Sequence, residues 1–444
     1  MTSTPAILIA GTGSGVGKTT VALGLMAALC KKYRVQPFKV GPDFIDPGHH
    51  TRICDRASRN LDSFIMGEKG VIETFRRASA DADFSIIEGV MGLYDGLDST
   101  EIASTAHVAK ILDVPVLLVI DARGVSRSLA AVVKGFSEFD NVNIQGIILN
   151  NVGSERHVKL VRDSLTSAGI NIPIIGALPK NKELSIPSRH LGLHMASENT
   201  LNVKLLSDFI EKHIDMEAVI NIANAYTPPY VELKEPEETF NVRVGIAQDS
   251  AFCFYYQDSL DALKRQGADI VFFSLMSDDL PQVDGLYLGG GYPELYAKEL
   301  ESSGTREQIK KAADDGMPIY GECGALMYLN ETLTTDRTYR MAGILGAGSR
   351  MTDKLQGLGY TEAQVVSDSP LTRKGTMIRG HEFHYSVTEC GRDARFAYRL
   401  RRGKGIIDGK DGLMEHNTLA SYMHTHPAAV SFAEFLKLCS RYKT

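Results

Sequence analysis

The chain has 444 residues, 43% of them apolar and 23% charged, a balance that excludes a disordered or membrane-embedded polypeptide; at about 150 residues per domain, the length predicts two large domains. The net charge of −6 is spread over both signs, so no basic stripe is present to neutralise nucleic-acid phosphates, and nucleic acid is not an expected partner. Six cysteines without a CxxC pair form neither a disulfide framework nor a zinc signature, and no stretch approaches the roughly 20 apolar residues of a membrane span; a cytoplasmic protein without export signal or membrane anchor is expected.

In chain order, short β-branched runs recur at Ala6–Ala10, Gln36–Val40, Phe84–Glu88, Val114–Ile120, Ile144–Leu149 and Ile172–Ile175, with helical patterns such as Val21–Tyr33 between them. This alternation predicts an α/β domain with a parallel sheet and helices on both faces, over 1–226. The first run leads through Gly11-Thr12-Gly13-Ser14-Gly15-Val16-Gly17-Lys18-Thr19-Thr20. This is a variant P-loop, with Thr12 where the strict pattern has glycine. Its backbone N–H groups and the helix N-terminus behind them suit phosphates, Lys18 reaches the β/γ-phosphates and Thr19 suits Mg²⁺. Gly13, Gly15, Gly17, Lys18, Thr19 and Thr20 are therefore the expected nucleotide-binding residues.

Acidic groups stand where later strands end: Asp43 and Asp46 in Gly41–Asp46, and Glu88 before Gly89. Carboxylates there face the ligand crevice of an open parallel sheet, although each also has a reading as a helix or turn cap. Asp95, in a loop beyond the Glu88 strand, suits metal or substrate, or a plain Asp-Gly turn. Asn181-Lys182-Glu183-Leu184 lacks the aspartate of a guanine-reading NKxD motif, which favours ATP over GTP.

A polar, proline-containing stretch, 227–240, reads as a linker. A second α/β rhythm over 241–444 starts with Val242–Ala247, a helical Tyr255–Gln266, Ile270–Phe273, Gly285–Leu288 and Pro318–Tyr320. Its Tyr320-Gly321-Glu322-Cys323-Gly324-Ala325 has the strand, sharp turn and helix of a nucleophile elbow, with Cys323 at the turn. A thiol nucleophile wants a base, and Met423-His424-Thr425-His426 supplies two histidines, of which His424 is favoured. Gly291, from the run Gly289-Gly290-Gly291, and the amide of Gly324 are the candidate oxyanion donors. Cys30, Cys54, Cys253, Cys390 and Cys439 have no such surroundings and are expected to be buried structural thiols. His381 and His384, three apart in an aromatic-flanked stretch, read as structural or substrate-lining rather than metal-binding.

Both sites in this order resemble the cobyrinate a,c-diamide synthase family, including its archaeal branch acting on nickel-sirohydrochlorin for coenzyme F430 and methanogenesis. The resemblance also rests on Lys39–Pro47, Ser58–Asp62, Glu88–Gly96, Pro187–Leu193, Asp249–Tyr256 and Arg379–Ser386. It implies an N-terminal P-loop domain similar to dethiobiotin synthetase, joined to a C-terminal domain similar to class I glutamine amidotransferases. It further implies ATP and Mg²⁺ as cofactors, L-glutamine as nitrogen donor, and a tetrapyrrole carboxylate that is activated as an acyl phosphate and amidated twice. On that analogy Thr19, Asp43 and Glu88 serve the metal, Asp46 and Asp95 serve substrate or nucleotide, and a homodimer is admitted. The chain departs from the family at Pro427, where an aromatic is frequent, and in lacking the triad glutamate after His424, which leaves the third triad member open. The resemblance does not choose between cobyrinate and nickel-sirohydrochlorin. Competing readings are an amidotransferase like cobyric acid synthase and a partition-type ATPase acting as a binding module.

Overall fold

Strand β1 (Ala6–Gly11) is buried along its whole length, and the glycine-rich loop after it delivers the chain into helix α1 (Lys18–Leu29). The computed structural model describes residues 4–181, 183–184 and 201–442; Lys182 and the Pro187–Leu193 run lie outside the described residues. The chain divides into two compact units, Met1–Leu233 and Lys234–Thr444, and the division falls within a stretch, 227–240, that carries no helix or strand.

The first unit continues through β2 (Val35–Val40), α2 (Ile45–Cys54), β3 (Arg59–Leu61), α3 (Ser63–Ser79), β4 (Phe84–Glu88), α4 (Thr105–Leu112), β5 (Val116–Asp121), α5 (Arg127–Glu138), β6 (Ile144–Val152), α6 (Glu155–Ser167), β7 (Ile174–Pro179), α7 (Val203–His213) and α8 (Met216–Asn224). Its seven strands form one parallel sheet in the order β3-β2-β4-β1-β5-β6-β7. Alternate residues of β1 serve opposite cores: Leu8 packs with Phe75 of α3 and Ala109 of α4, Ile9 with Leu25 of α1 and Ile210 of α7. Burial on both faces explains the unbroken apolar runs of the central strands. Because the strands are parallel, Gly11, Val40 and Glu88 all end at one edge of the sheet. The short β3 has no counterpart in the sequence-predicted strands; three residues give no periodicity to read.

The second unit has β8 (Val242–Ala247), β9 (Phe252–Phe254), α9 (Gln257–Arg265), β10 (Ala268–Phe273), β11 (Gly285–Leu288), β12 (Gly290–Gly291), a 3-10 turn (Pro293–Tyr296), α10 (Ala297–Ser302), α11 (Thr305–Asp314), β13 (Ile319–Glu322) and α12 (Gly324–Leu329). It then becomes mainly β: β14 (Asn330–Thr334), β15 (Thr338–Arg340), β16 (Leu345–Met351), β17 (Gly357–Val365), β18 (Met377–His384), β19 (Ser386–Cys390), β20 (Arg395–Arg402), β21 (Lys410–Glu415), β22 (Thr418–Ser421) and β23 (His424–Thr425), before α13 (Ala433–Tyr442). The larger sheet runs β10-β8-β11-β13-β22-β21-β20-β17-β18-β23. It is parallel from β10 to β22 and antiparallel beyond.

The segment 418–425 occupies two places in this sheet. Ser421 pairs with Glu322 at the end of β13, and His424 pairs with His381 of β18, so the antiparallel half curls back on the end of the parallel half. The bend between β22 and β23 is held by Asp411, fully buried, which accepts from the N–H groups of Tyr422 at 3.1 Å, Met423 at 3.2 Å and Gly412 at 2.8 Å. Among the described residues no helix is long and apolar enough to cross a membrane.

Asp411→Ala strands three buried N–H groups and is expected to cost about 3 kcal/mol of stability, whereas Asp411→Asn, which keeps an acceptor, costs less; urea unfolding of the full-length variants measures the difference.

Candidate functional sites

In the first unit the P-loop turn depends on Gly15 and Gly17, at φ +75° and +103°, where side-chain-bearing residues are strained. Gly17 has a second constraint: a Cβ there would stand 2.2 Å from Nδ2 of Asn150. That amide, at the end of β6, donates to the Val16 carbonyl at 2.9 Å and fixes the loop from the neighbouring strand. Lys18 folds over the loop and donates to the Gly13 carbonyl at 2.8 Å. Burial and the nearby Lys39 lower its ammonium to about 8, so bound phosphates would supply the counter-charge it lacks. Thr20 continues the first turn of α1 behind Thr19.

The carboxylate of Glu88 is the hub of this edge. Its Oε1 accepts from Thr19 Oγ1 at 2.6 Å and from Lys39 Nζ at 3.0 Å, and its Oε2 stands 2.6 Å from His50 Nε2. Lys39 also pairs with Asp46 at 2.6 Å. Burial would push Glu88 up, but Lys39 and then His50 outweigh it and hold the carboxyl well below its usual range. Burial would likewise lower Lys39, and Asp46 and Glu88 reverse that, holding the ammonium above its usual value. One lysine does not neutralise the whole group: burial, with Asp43 and Glu88 adding to it against Lys39, pushes Asp46 up.

Hard oxygen donors with residual negative charge suit Mg²⁺. Among the described residues no three His, Cys, Asp or Glu side chains gather into a metal cage. Asp43 accepts from the N–H groups of Ile45 at 2.7 Å and Asp46 at 3.3 Å, so one of its oxygens is used on the start of α2. Asn60 ties that loop down through the Gly41 and Asp43 carbonyls, at 2.8 and 2.7 Å. Asp95 accepts from the Gly92 N–H at 2.8 Å and contributes to the field on Lys18. Sequence reasoning passes over Lys39, His50 and Asn150 as working residues. A signal for Lys39 exists: a lysine inside an apolar buried strand is almost always paired.

In the second unit β13 ends on Glu322 and Cys323 makes the turn at φ 50° and ψ −97°, a conformation costing a non-glycine residue about 1–3 kcal/mol. Its N–H donates to the Ser421 carbonyl at 2.7 Å, and α12 begins at Gly324. Gly291, at φ +157°, runs so close to the Ala251 carbonyl that a Cβ would lie 2.0 Å from it. A Cβ on Gly324 would stand 3.1 Å from the Gly291 nitrogen, so the structure brings the two oxyanion candidates side by side.

His424, fully buried, places Nδ1 3.5 Å from Glu322 Oε2, while the Cys323 thiol donates to the Phe383 carbonyl at 3.6 Å. Glu322 is itself fixed: Oε1 accepts from Tyr320 at 2.6 Å and from the Thr425 N–H at 2.9 Å, and Oε2 from Tyr287 at 3.1 Å. Burial opposes charge on His424, but the neighbouring Cys323 and Glu322 outweigh it and raise the imidazole to about 10. The stabilisation from that raised value is complete below about pH 6.5, the ordinary histidine value, and is lost as pH rises through about 10. His426 stands apart, 3.8 Å from Asp258 and packed on Tyr256. His381 stacks on His424 with ring centroids 4.9 Å apart and meets Tyr256 at 3.1 Å; burial and the neighbouring His424 hold it well below its usual value, hence neutral. His384 stacks on Tyr422. Of the other cysteines only Cys439 is fully buried; Cys30, Cys54, Cys253 and Cys390 are partly exposed, contrary to expectation: Cys30, Cys54 and Cys390 lie at element ends, and Cys253 lies in the short two-stranded β9–β12 ribbon outside the main sheets.

Residues 7–193 match the family model described as the CobQ/CobB/MinD/ParA nucleotide binding domain, and residues 243–432 that of the CobB/CobQ-like glutamine amidotransferase domain. Curated relatives span nearly the whole chain. The cobyrinate a,c-diamide synthase of Methanocaldococcus jannaschii is 43% identical over 95% of this chain and 96% of its own. That of Methanobrevibacter smithii is 43% identical over 96% of each, and that of Caldanaerobacter subterraneus 43% identical over 98% of each.

Two consequences of the geometry are measurable. Lys39→Met leaves two buried carboxylates without their cation and is expected to destabilise the protein by about 3–5 kcal/mol, read by urea unfolding. In Glu322→Gln the His424 resonances are expected to titrate at lower pH than in the parent protein, as followed by NMR; an unchanged titration would remove Glu322 as the orienting group.

Proposed function

The chain belongs to the cobyrinate a,c-diamide synthase family, and from that premise we propose that it amidates the a- and c-acetate side chains of cobyrinate, using ATP and glutamine. The protein is a ligase of the glutamine-dependent amidotransferase class. The observation that carries the finer reading is the presence, in one chain, of a phosphate loop joined to an acid-rich strand edge and of a strained cysteine paired with a buried imidazole. Residues 1–226 are proposed as the amido-ligase domain, 227–240 as linker and 241–444 as the glutaminase.

In the first unit a substrate carboxylate oxygen attacks the γ-phosphorus of ATP, ADP leaves, and an acyl phosphate results. The backbone of Gly13, Gly15 and Gly17, Lys18 and the start of α1 at Thr20 hold the polyphosphate, and Lys18 stabilises charge spreading over the transferred group. Thr19 and Glu88, with the free oxygen of Asp43, would hold Mg²⁺, which draws negative charge from the phosphates when bound. Asp46, paired with Lys39, and Asp95, which acts on Lys18, face substrate or nucleotide.

In the second unit the Cys323 thiolate attacks the glutamine carboxamide carbon, and the resulting oxyanion is met by the N–H groups of Gly291 and Gly324. His424 gives its proton to the departing ammonia, then takes one from the water that hydrolyses the thioester, releasing glutamate. Glu322 keeps the imidazole oriented through both transfers. Ammonia displaces phosphate from the acyl phosphate and leaves the amide; two rounds give the diamide.

With ATP, Mg²⁺, glutamine and cobyrinate, products followed by mass spectrometry are expected to show two carboxylate-to-amide exchanges, and nickel-sirohydrochlorin offered alone is the competing substrate. Cys323→Ala is expected to lose glutamine-driven amidation by at least about 10³-fold while retaining amidation from ammonium salts. Lys18→Ala loses amidation from both nitrogen sources and keeps glutamine hydrolysis. Glutamine use by Cys323→Ala would overturn the assignment.

A further inference from the structure

Glu294 lies in the 3-10 turn directly after the Gly289-Gly290-Gly291 run. Pro293 beside it packs on the start of α12: a Cβ on Gly324 would stand 3.0 Å from Pro293 Cδ. The residue as a whole is partly exposed, but Oε2 is sealed from solvent and has no hydrogen-bond partner among the described residues. Its carboxyl receives a hydrogen bond from its own backbone N–H, and no neighbouring cation offsets the burial that pushes it up to about 7.

Other buried acids of this unit are provided for. Glu322 accepts from two tyrosines and a backbone N–H, Glu382 from the N–H groups of Lys404 and Gly405, and Asp411 from three N–H groups. A buried carboxylate without partners destabilises a fold unless something else uses it. The glutaminase reaction brings one cation to this place: the α-ammonium of glutamine, on the third carbon from the carboxamide carbon. That short reach suits an acceptor three residues beyond the Gly291 donor in the same turn.

We propose that Glu294 is the residue that makes this site specific for glutamine, its carboxylate accepting the α-ammonium while the carboxamide lies between Cys323 and the amides of Gly291 and Gly324. The inference rests on the glutaminase reading of the second unit. It assigns Glu294 to binding: the charge-assisted hydrogen bond forms with the intact amino acid and persists unchanged through acyl transfer, so it lowers KM and leaves kcat alone.

The test compares L-glutamine with glutaramate, the same carboxamide acid lacking the α-ammonium, in full-length protein with Mg²⁺ and ATP. Release of glutamate or glutarate is measured for the parent protein and Glu294→Gln. The parent is expected to favour glutamine over glutaramate in kcat/KM by at least about tenfold. Glu294→Gln is expected to raise KM for glutamine about ten- to a hundredfold, with kcat within about threefold, and to bring the two substrates close to parity. Alkylation of Cys323 by iodoacetamide, which carries no ammonium, proceeds at the parent rate in the variant.

A measurement on the parent protein stands independently of the variant's folding. Its kcat/KM for glutamine falls as pH drops below about 7, when the carboxylate is protonated, and the profile for glutaramate lacks that limb. Retained discrimination in Glu294→Gln, identical pH profiles for the two substrates, or alkylation slowed as much as glutamine turnover would each overturn the inference. A parent protein that hydrolyses no glutamine at all removes the glutaminase reading, and this inference with it.

Discussion

An ionised carboxylate sealed at the carboxyl end of a parallel strand has to be paired, and both functional sites are arranged around that requirement. Glu88 closes β4 and Glu322 closes β13, each buried. The P-loop threonine, Lys39 and His50 converge on the first; two tyrosines, a backbone N–H and His424 converge on the second. Removing either acid would leave cations and hydroxyls without their common acceptor, so the same groups that are costly to bury fix the geometry of the chemistry.

The two sites use that fixed charge differently. At Glu88 the surplus of carboxylates over lysines leaves the edge ready for a further cation, and the lowered ammonium of Lys18 leaves the loop ready for anions. The proposed nucleotide and metal would answer both. At Glu322 the charge is used internally: it sustains an imidazolium next to a thiol, in a site where burial alone would have kept the imidazole neutral. The strained backbone of Cys323 and the glycines at 291 and 324 then set thiol and amide donors within one small volume. Strain of this kind persists only when the surrounding structure over-determines it, and the pairing of Cys323 with Ser421 does so.

Much of this is legible in the amino-acid sequence. Buried parallel strands announce themselves as apolar runs, and the chain's two loop motifs have a fixed strand-loop-helix context, so the P-loop, Glu88, Cys323 and the candidate oxyanion glycines can be named from spacing alone. The mostly antiparallel strands between 330 and 425 are not legible in the same way. They are half-exposed and irregular, with bulges in β14 and β17, and period-two alternation is lost where a bulge shifts the faces. His50 escapes a sequence reading because it serves Glu88 from another element, and Lys39, though marked as paired by its place in a buried strand, does not reveal its partners, which lie on β4 and α2.

The sequence by itself determined the α/β class, the candidate phosphate loop and the candidate nucleophile Cys323, since each depends on contacts within a few positions of chain. Only the tertiary structure decided what orients His424. The carboxylate stands one residue before Cys323 rather than after the histidine, and the two meet because β13 and β18 grip opposite ends of the segment 418–425. A pairing between positions about a hundred residues apart is set by how the sheet curls, a property of all its strands together that no local pattern encodes.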